Sequence, residues 1–172
     1  IVQSFMLMVT MPLGGITGGT QTILGYNYGA GRADRIRRAQ KHIVALGIVF
    51  TAIMFVIAMT VSGYFAEIFT RDSAYVDMSV RAIRISTLGI IPLAIQYEVV
   101  DGFTGMGAAG LAISQSMFRK TLYLLSMLAL PAFLGVENVF FAEPVSDVIA
   151  SAAAIAVYMV FSGKVLKDGR RI

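Results

Sequence analysis

The chain contains no cysteine and one histidine. Disulfides and thiolate metal sites are thereby excluded, and a single imidazole cannot build a histidine-rich metal centre. Charge is also scarce. Only 14% of the 172 residues are Asp, Glu, Lys or Arg and 57% are hydrophobic, whereas a soluble domain carries roughly 25% charged residues. So little polar surface cannot coat a globule of this length, and the composition predicts a polytopic membrane protein. No HExxH, GxSxG or Walker loop is present, so no enzyme constellation is read and no cofactor is expected. The net charge of +4 does not form the solvated basic face that nucleic-acid binding needs, because the basic residues sit at the ends of apolar runs. The chain opens with Ile1 inside an apolar run. No basic leader precedes that run, so no signal peptide is read and a fragment is expected.

The apolar runs are there in number. A membrane-spanning helix needs about 20 residues, and five such spans are expected, roughly 3–26, 42–66, 84–106, 116–134 and 144–161. The fold class read from these is an all-α, polytopic transmembrane bundle. In the first span, Thr10, Gly14, Thr17 and Gln21 recur at helical spacing and share one face. That face is either a close helix contact or the polar wall of a cavity, and the two are compatible. Gly14–Gly15 and Gly18–Gly19 add two overlapping small-xxx-small pairs, and Pro12 is placed to kink the outer half. The second span is almost purely aliphatic and is expected to meet lipid over much of its girth, with His42 at the membrane edge. In the connection Glu67–Arg84, Asp72 or Ser73 is placed to cap a short amphipathic helix lying at the interface.

The third span is anomalous. Pro92 sits near its middle, and Gln96, Glu98 and Asp101 follow. An acid inside a bilayer costs about 2.5–3.5 kcal/mol on an insertion scale, so Glu98 and Asp101 are the sharpest functional signal. Three residues apart, they share a face, with Glu98 deeper by about 4.5 Å. Such a pair can take up a proton or a sodium ion and release it when its surroundings change; the bland alternative is that Asp101 simply reaches water at the helix end. Asp147 reads as a first-turn charge on the last helix, which Pro144 starts, stabilised by the helix dipole. The stretch GYNYGAG reads as a helix-ending turn.

Placing the loop after the first span in the cytoplasm divides the 14 Lys and Arg into eleven and three. Arg32, Arg35, Arg37, Arg38, Lys41, Arg119, Lys120, Lys164, Lys167, Arg170 and Arg171 fall inside, and Arg71, Arg81 and Arg84 outside. This satisfies the positive-inside rule and puts the C-terminus in the cytoplasm.

Three segments carry a family resemblance. GGITGGTQTILGYNYGAGRADRIRRA (14–39) closely resembles the signature at the end of the eighth helix of multidrug and toxic compound extrusion (MATE) transporters. AISQSMFRKTLYLLSMLALP (112–131) resembles that family's eleventh helix, and GVENVFFAEPVSD (135–147) the entry into its twelfth. The resemblance implies a twelve-helix, two-lobe transporter of the prokaryotic plasma membrane. Of this, residues 1–172 are helices eight to twelve of the C-terminal lobe, without the N-terminal lobe. It implies export of drugs or organic cations driven by proton or sodium antiport, with a coupling cation at the tenth-helix acids Glu98 and Asp101. Alternating access would rock this lobe against the other, with Thr17, Gln21, Gln96 and Glu98 on the cavity wall. Two rival readings remain. A lipid-linked saccharide flippase of the same superfamily would need deep cationic residues, whereas the deep residues here read as acidic. A non-transporting membrane subunit would tolerate neutral residues at 98 and 101.

Overall fold

A computed structural model describes residues 1–168. Those residues are helical throughout, joined by short turns, with no strand among them. In chain order the helices are α1 (Val2–Gly18), α2 (Gln21–Gly29), α3 (Ala33–Glu67), α4 (Ser73–Ser86), α5 (Ile90–Gly105), α6 (Ala109–Leu134) and α7 (Ala142–Asp168). A 3-10 turn at Thr87–Gly89 links α4 to α5, and another at Val136–Phe141 precedes α7. Four helical runs are long and apolar enough to cross a membrane: Ala33–Glu67, Ser73–Gly105, Ala109–Leu134 and Val136–Leu166. The chain is an all-α bundle of membrane-spanning helices.

The helix expected over 3–26 is broken. α1 ends at Gly18, and α2 starts afresh at Gln21. Two adjacent glycines followed by Thr20, whose hydroxyl bonds the Thr17 carbonyl, interrupt the ladder at low cost. Of the small-xxx-small pairs, Gly14 and Gly18 face α5, where a Cβ would stand 3.7 Å from Tyr97 and 3.9 Å from Asp101. Gly15 and Gly19 are exposed, and the closest backbone approach lies further on, where α2 crosses α5. A Cβ on Gly25 would stand 2.9 Å from the Gly105 carbonyl oxygen, and one on Gly105 would stand 2.9 Å from that of Gln21. Only glycine fits either position.

α3 runs for 35 residues, about 52 Å, against a hydrocarbon core of about 30 Å. Its basic first turns therefore extend beyond the apolar slab. Ile36, Gln40, Ile43, Gly47, Thr51, Met54, Ala58 and Ser62 are buried at spacings of three and four. They form one stripe toward α5, α4 and α1, while Leu46, Val49, Ile53 and Val56 face outward, as expected for a lipid-facing helix. His42 is exposed near the basic end.

The amphipathic helix expected between the second and third spans exists, and Asp72 caps it by accepting from the Ala74 N–H at 3.0 Å. It does not stand apart from the third span, because α4 runs through the 3-10 turn into α5. Pro92 falls in the first turn of α5, inside the run Ser73–Gly105. A first-turn residue has no intrahelical partner for an N–H, so the proline costs no hydrogen bond. α5 is the centre of the bundle, packed against α1, α2, α3, α6 and α7. Leu93, Ala94, Gln96, Glu98, Val99, Gly102 and Phe103 are all buried along it.

α6 begins at Ala109, several residues before the expected start at 116, and buries only Ala112 and Gln115 fully. The tail residues Arg170 and Arg171 lie outside the described residues.

Candidate functional site

The break between α1 and α2 serves a side chain on α5. Asp101 receives a hydrogen bond on each carboxylate oxygen. The Thr17 hydroxyl, from the last turn of α1, donates to Oδ2, and the Gln21 amide, from the first residue of α2, donates to Oδ1 at 2.8 Å. A continuous helix would place Thr17 and Gln21 one turn apart on the same stripe. Starting α2 afresh sets them as two donors on one acid.

Asp101, Gln21 and Gln96 line a cavity of about 450 Å³ together with Gly14, Tyr97, Val100, Ser116, Arg119 and Lys120. Four of the five residues singled out from the sequence thus meet at one place: Thr17, Gln21 and Asp101 by direct hydrogen bonds, and Gln96 on the same wall. Thr10 does not join them. Its hydroxyl bonds back to the Met6 carbonyl at 3.0 Å.

Glu98, the fifth, faces elsewhere. It lines a second cavity of about 580 Å³ between α3, α5 and α7, with Gln40, Tyr158, Arg37 and Lys41. The two acids are neighbours along the helix, about 60° apart around it, but line different cavities. Glu98 is 1% exposed, and neither of its carboxylate oxygens has a hydrogen-bond partner.

Arg119 is half-buried and Lys120 exposed. Arg119 lies about 15 Å along α6 from its start, on the wall of the Asp101 cavity. Both also line the Asp101 cavity. The cavity that Asp101 lines is therefore not lined by acids alone. Arg119 is nevertheless engaged: its Nε and Nη2 each lie 2.8 Å from Asp147 Oδ1. Asp147 is completely buried, with Oδ2 unpartnered. The reading of Asp147 as a first-turn dipole charge is corrected here. α7 begins at Ala142, so the acid of its first turn is Glu143, and Asp147 is a turn further in, where it meets Arg119.

Sequence reasoning missed Arg119, Gln40, Tyr97 and Tyr158. The signal for Gln40 was available, since it occupies a core position of the stripe Ile36–Gln40–Ile43–Gly47. Tyr158 likewise follows the buried Ala154 by one turn. Arg119 was hidden because α6 starts earlier than its hydrophobicity indicates. Among the described residues no cluster of three or more His, Cys, Asp or Glu could hold a metal ion.

This arrangement can hold a small molecule against an oriented carboxylate with amide, tyrosine and guanidinium groups around it, and can hold an ion at a second, buried carboxylate. Comparison with curated proteins and with solved structures returned no match. A family model described as MatE matches residues 1–119, which covers α1 to α5 and the first part of α6. That segment contains the Asp101 cavity lining through Arg119, and also Glu98, Arg37, Gln40 and Lys41; the resemblance in the rest of α6 and the entry to α7 lies outside it. The glycine-rich broken helix with its basic exit, the membrane-spanning bundle and the matched family agree: the chain belongs to the MatE family of membrane transporters.

Proposed function

We propose that the chain is part of a cation-coupled exporter of organic cations or drugs, with the cargo held at Asp101 and the coupling ion at Glu98. The single observation that carries this reading is that the two acids of α5 line different cavities, Asp101 with oriented donors and Glu98 beside Gln40 and Tyr158. Thr17 and Gln21 hold the Asp101 carboxylate in one orientation, so a cationic group entering the cavity meets a fixed acceptor. Gln96 and Tyr97 supply a hydrogen-bonding side chain and a flat aromatic wall, the mixture expected of a small-molecule site. Arg119 is paired with Asp147 and so adds little net charge to the cavity. In this reading the second lobe of the twelve-helix protein supplies the opposing wall, and the two rock about the site. The basic end of α3 is the cytoplasmic one, in the inner membrane of a prokaryote.

One observation favours a second reading. Arg119 and Lys120 line the same cavity as Asp101, which is what a lipid-linked saccharide flippase needs to hold a diphosphate. The two readings separate in one experiment on the full-length protein. Cells carrying Asp101→Asn should lose efflux of a cationic dye while the protein stays in the membrane, and Lys120→Gln should leave efflux intact. Loss of lipid-linked saccharide translocation in Lys120→Gln, with no dye efflux in the parent, would establish the flippase instead. If neutral residues at both 98 and 101 leave dye efflux intact, the coupling site lies in the other lobe and this segment is scaffold and cavity wall.

A further inference from the structure

α5 packs against both α3 and α7, whereas among the described residues α3 and α7 pack little on each other. The gap between them is the cavity of about 580 Å³, floored by Ile95 and Val99 of α5. A hydrogen bond crosses it, from the Tyr158 hydroxyl of α7 to Gln40 Oε1 of α3 at 2.9 Å. Successive long helices alternate in direction, so α3 and α7 run antiparallel and this bond sets their register. On one side of it Arg37 lies across from Ser162, and on the other Val44 lies across from Ile155.

The lining is graded along the bilayer normal. At the basic end the rim is polar and positive, with Arg37 and Lys41 exposed and Ser162 half-buried. Val44, about 10 Å along α3 from Arg37, is half-buried and apolar. Ile155 and Met159 of α7 are exposed across the gap, Met159 by 70%. α3 is longer than the hydrocarbon core is thick, so Arg37 and Lys41 reach the headgroups while Val44 and Ile155 stand at the depth of acyl chains. Glu98 is the acid of this lining, but it is 1% exposed at the floor and does not answer the two cations on the rim.

An exposed apolar furrow with cations at one end fits an amphipathic anion. A neutral lipid would leave Arg37 and Lys41 without a partner, and a soluble anion would leave the apolar walls uncovered. A cationic cargo would be repelled at the rim. We propose that the furrow between α3 and α7 is a binding site for one anionic phospholipid. Its phosphate sits between Arg37 and Lys41, with the Ser162 hydroxyl as a further donor, and an acyl chain runs along Val44, Ile95, Ile155 and Met159. Basic pockets between membrane helices hold anionic headgroups on the same electrostatic ground. A lipid in this place spans both walls and braces α7 against α3. The site is separate from the Asp101 cavity, and the inference does not depend on what that cavity carries.

The test reads lipid occupancy directly. Full-length protein, cysteine-free apart from Val160→Cys beside the furrow, carries a bimane fluorophore at that cysteine. It is placed in phosphatidylcholine nanodiscs with a small fraction of lipid bearing a nitroxide on its acyl chain. Mole for mole, nitroxide phosphatidylglycerol should reach half-maximal quenching at about tenfold lower content than nitroxide phosphatidylcholine. Arg37→Gln with Lys41→Gln should abolish that preference. Arg35→Gln with Arg38→Gln removes the same charge from residues of α3 outside the furrow and should keep it. Equal loss in the two double variants would overturn the site in favour of a diffuse attraction to the basic end. Equal quenching by the two lipids in the parent would overturn the choice of an anionic headgroup. Absence of quenching by either lipid would show that a protein segment, from the other lobe or a second copy, covers the furrow, and would overturn the proposal outright.

Discussion

Arg119 and Arg81 each form an ion pair, and the difference between them defines what a charge does in this protein. Arg81 and Glu137 meet at 3.3 Å with side chains 65% and 81% exposed, a geometry worth about 0–1 kcal/mol. Arg119 and Asp147 meet at 2.8 Å, and Asp147 has no exposure. Removing one partner of a buried pair strands the other and costs about 3–5 kcal/mol. Arg119→Ala should therefore lower the thermal unfolding midpoint in detergent strongly, and Arg81→Ala should leave it nearly unchanged. Because the cost lies in the stranded charge, Arg119→Met combined with Asp147→Leu should be more stable than either single change. At the Asp101 site a hydrogen bond to a charged group contributes about 1.5–3 kcal/mol. Gln21→Leu is accordingly expected to weaken binding of a cationic dye about tenfold by equilibrium titration, since the carboxylate loses one of its two fixed donors. The acids and their uncharged neighbours were legible in the sequence, since an acid in an apolar run has few innocent explanations. The partners of the acids were not. Arg119 and Asp147 are 28 residues apart, and nothing in either local pattern says that α6 and α7 bring them together.

Single helical elements show where hydrophobicity fails as a guide to geometry. A run of apolar residues from 3 to 26 reads as one span, because a two-residue break changes the backbone and not the composition. The same limit hid the start of α6 and the continuity of α4 with α5. The glycines carry the clearest consequence. Gly25 and Gly105 face each other's helices with no room for a methyl group, whereas a Cβ on the exposed Gly15 would meet nothing within 4 Å. Gly25→Val or Gly105→Val should force α2 from α5, dismantle the Gln21–Asp101 contact and reduce the amount of protein in the membrane. Gly15→Ala should be tolerated or stabilising by about 0.5–1 kcal/mol, as expected for glycine in a helix interior. Thermal melts of the three purified variants check both halves.

At the scale of the whole molecule, the basic residues gather at one end of α3 and α5 lines two cavities. The basic cluster Arg32 to Lys41 and Lys164 mark one end of the bundle. The chain is free of cysteine, so single cysteines report topology directly. Arg38→Cys should react with an impermeant thiol reagent only from the cytoplasmic side, and Tyr75→Cys only from the opposite side. Fold class was legible at this scale because length and hydrophobicity alone decide it, whereas the two-cavity arrangement needs the packing of α5 against its five neighbours. The central claim is that Asp101 holds the cargo and Glu98 the coupling ion. The most direct test is equilibrium binding of a cationic dye to purified full-length protein, with proton release recorded in the same titration. Asp101→Asn should abolish dye binding, and Glu98→Gln should bind dye normally while releasing no proton. If Glu98→Gln loses dye binding as completely as Asp101→Asn, the two acids serve a single site, and the separation across α5 has no functional meaning.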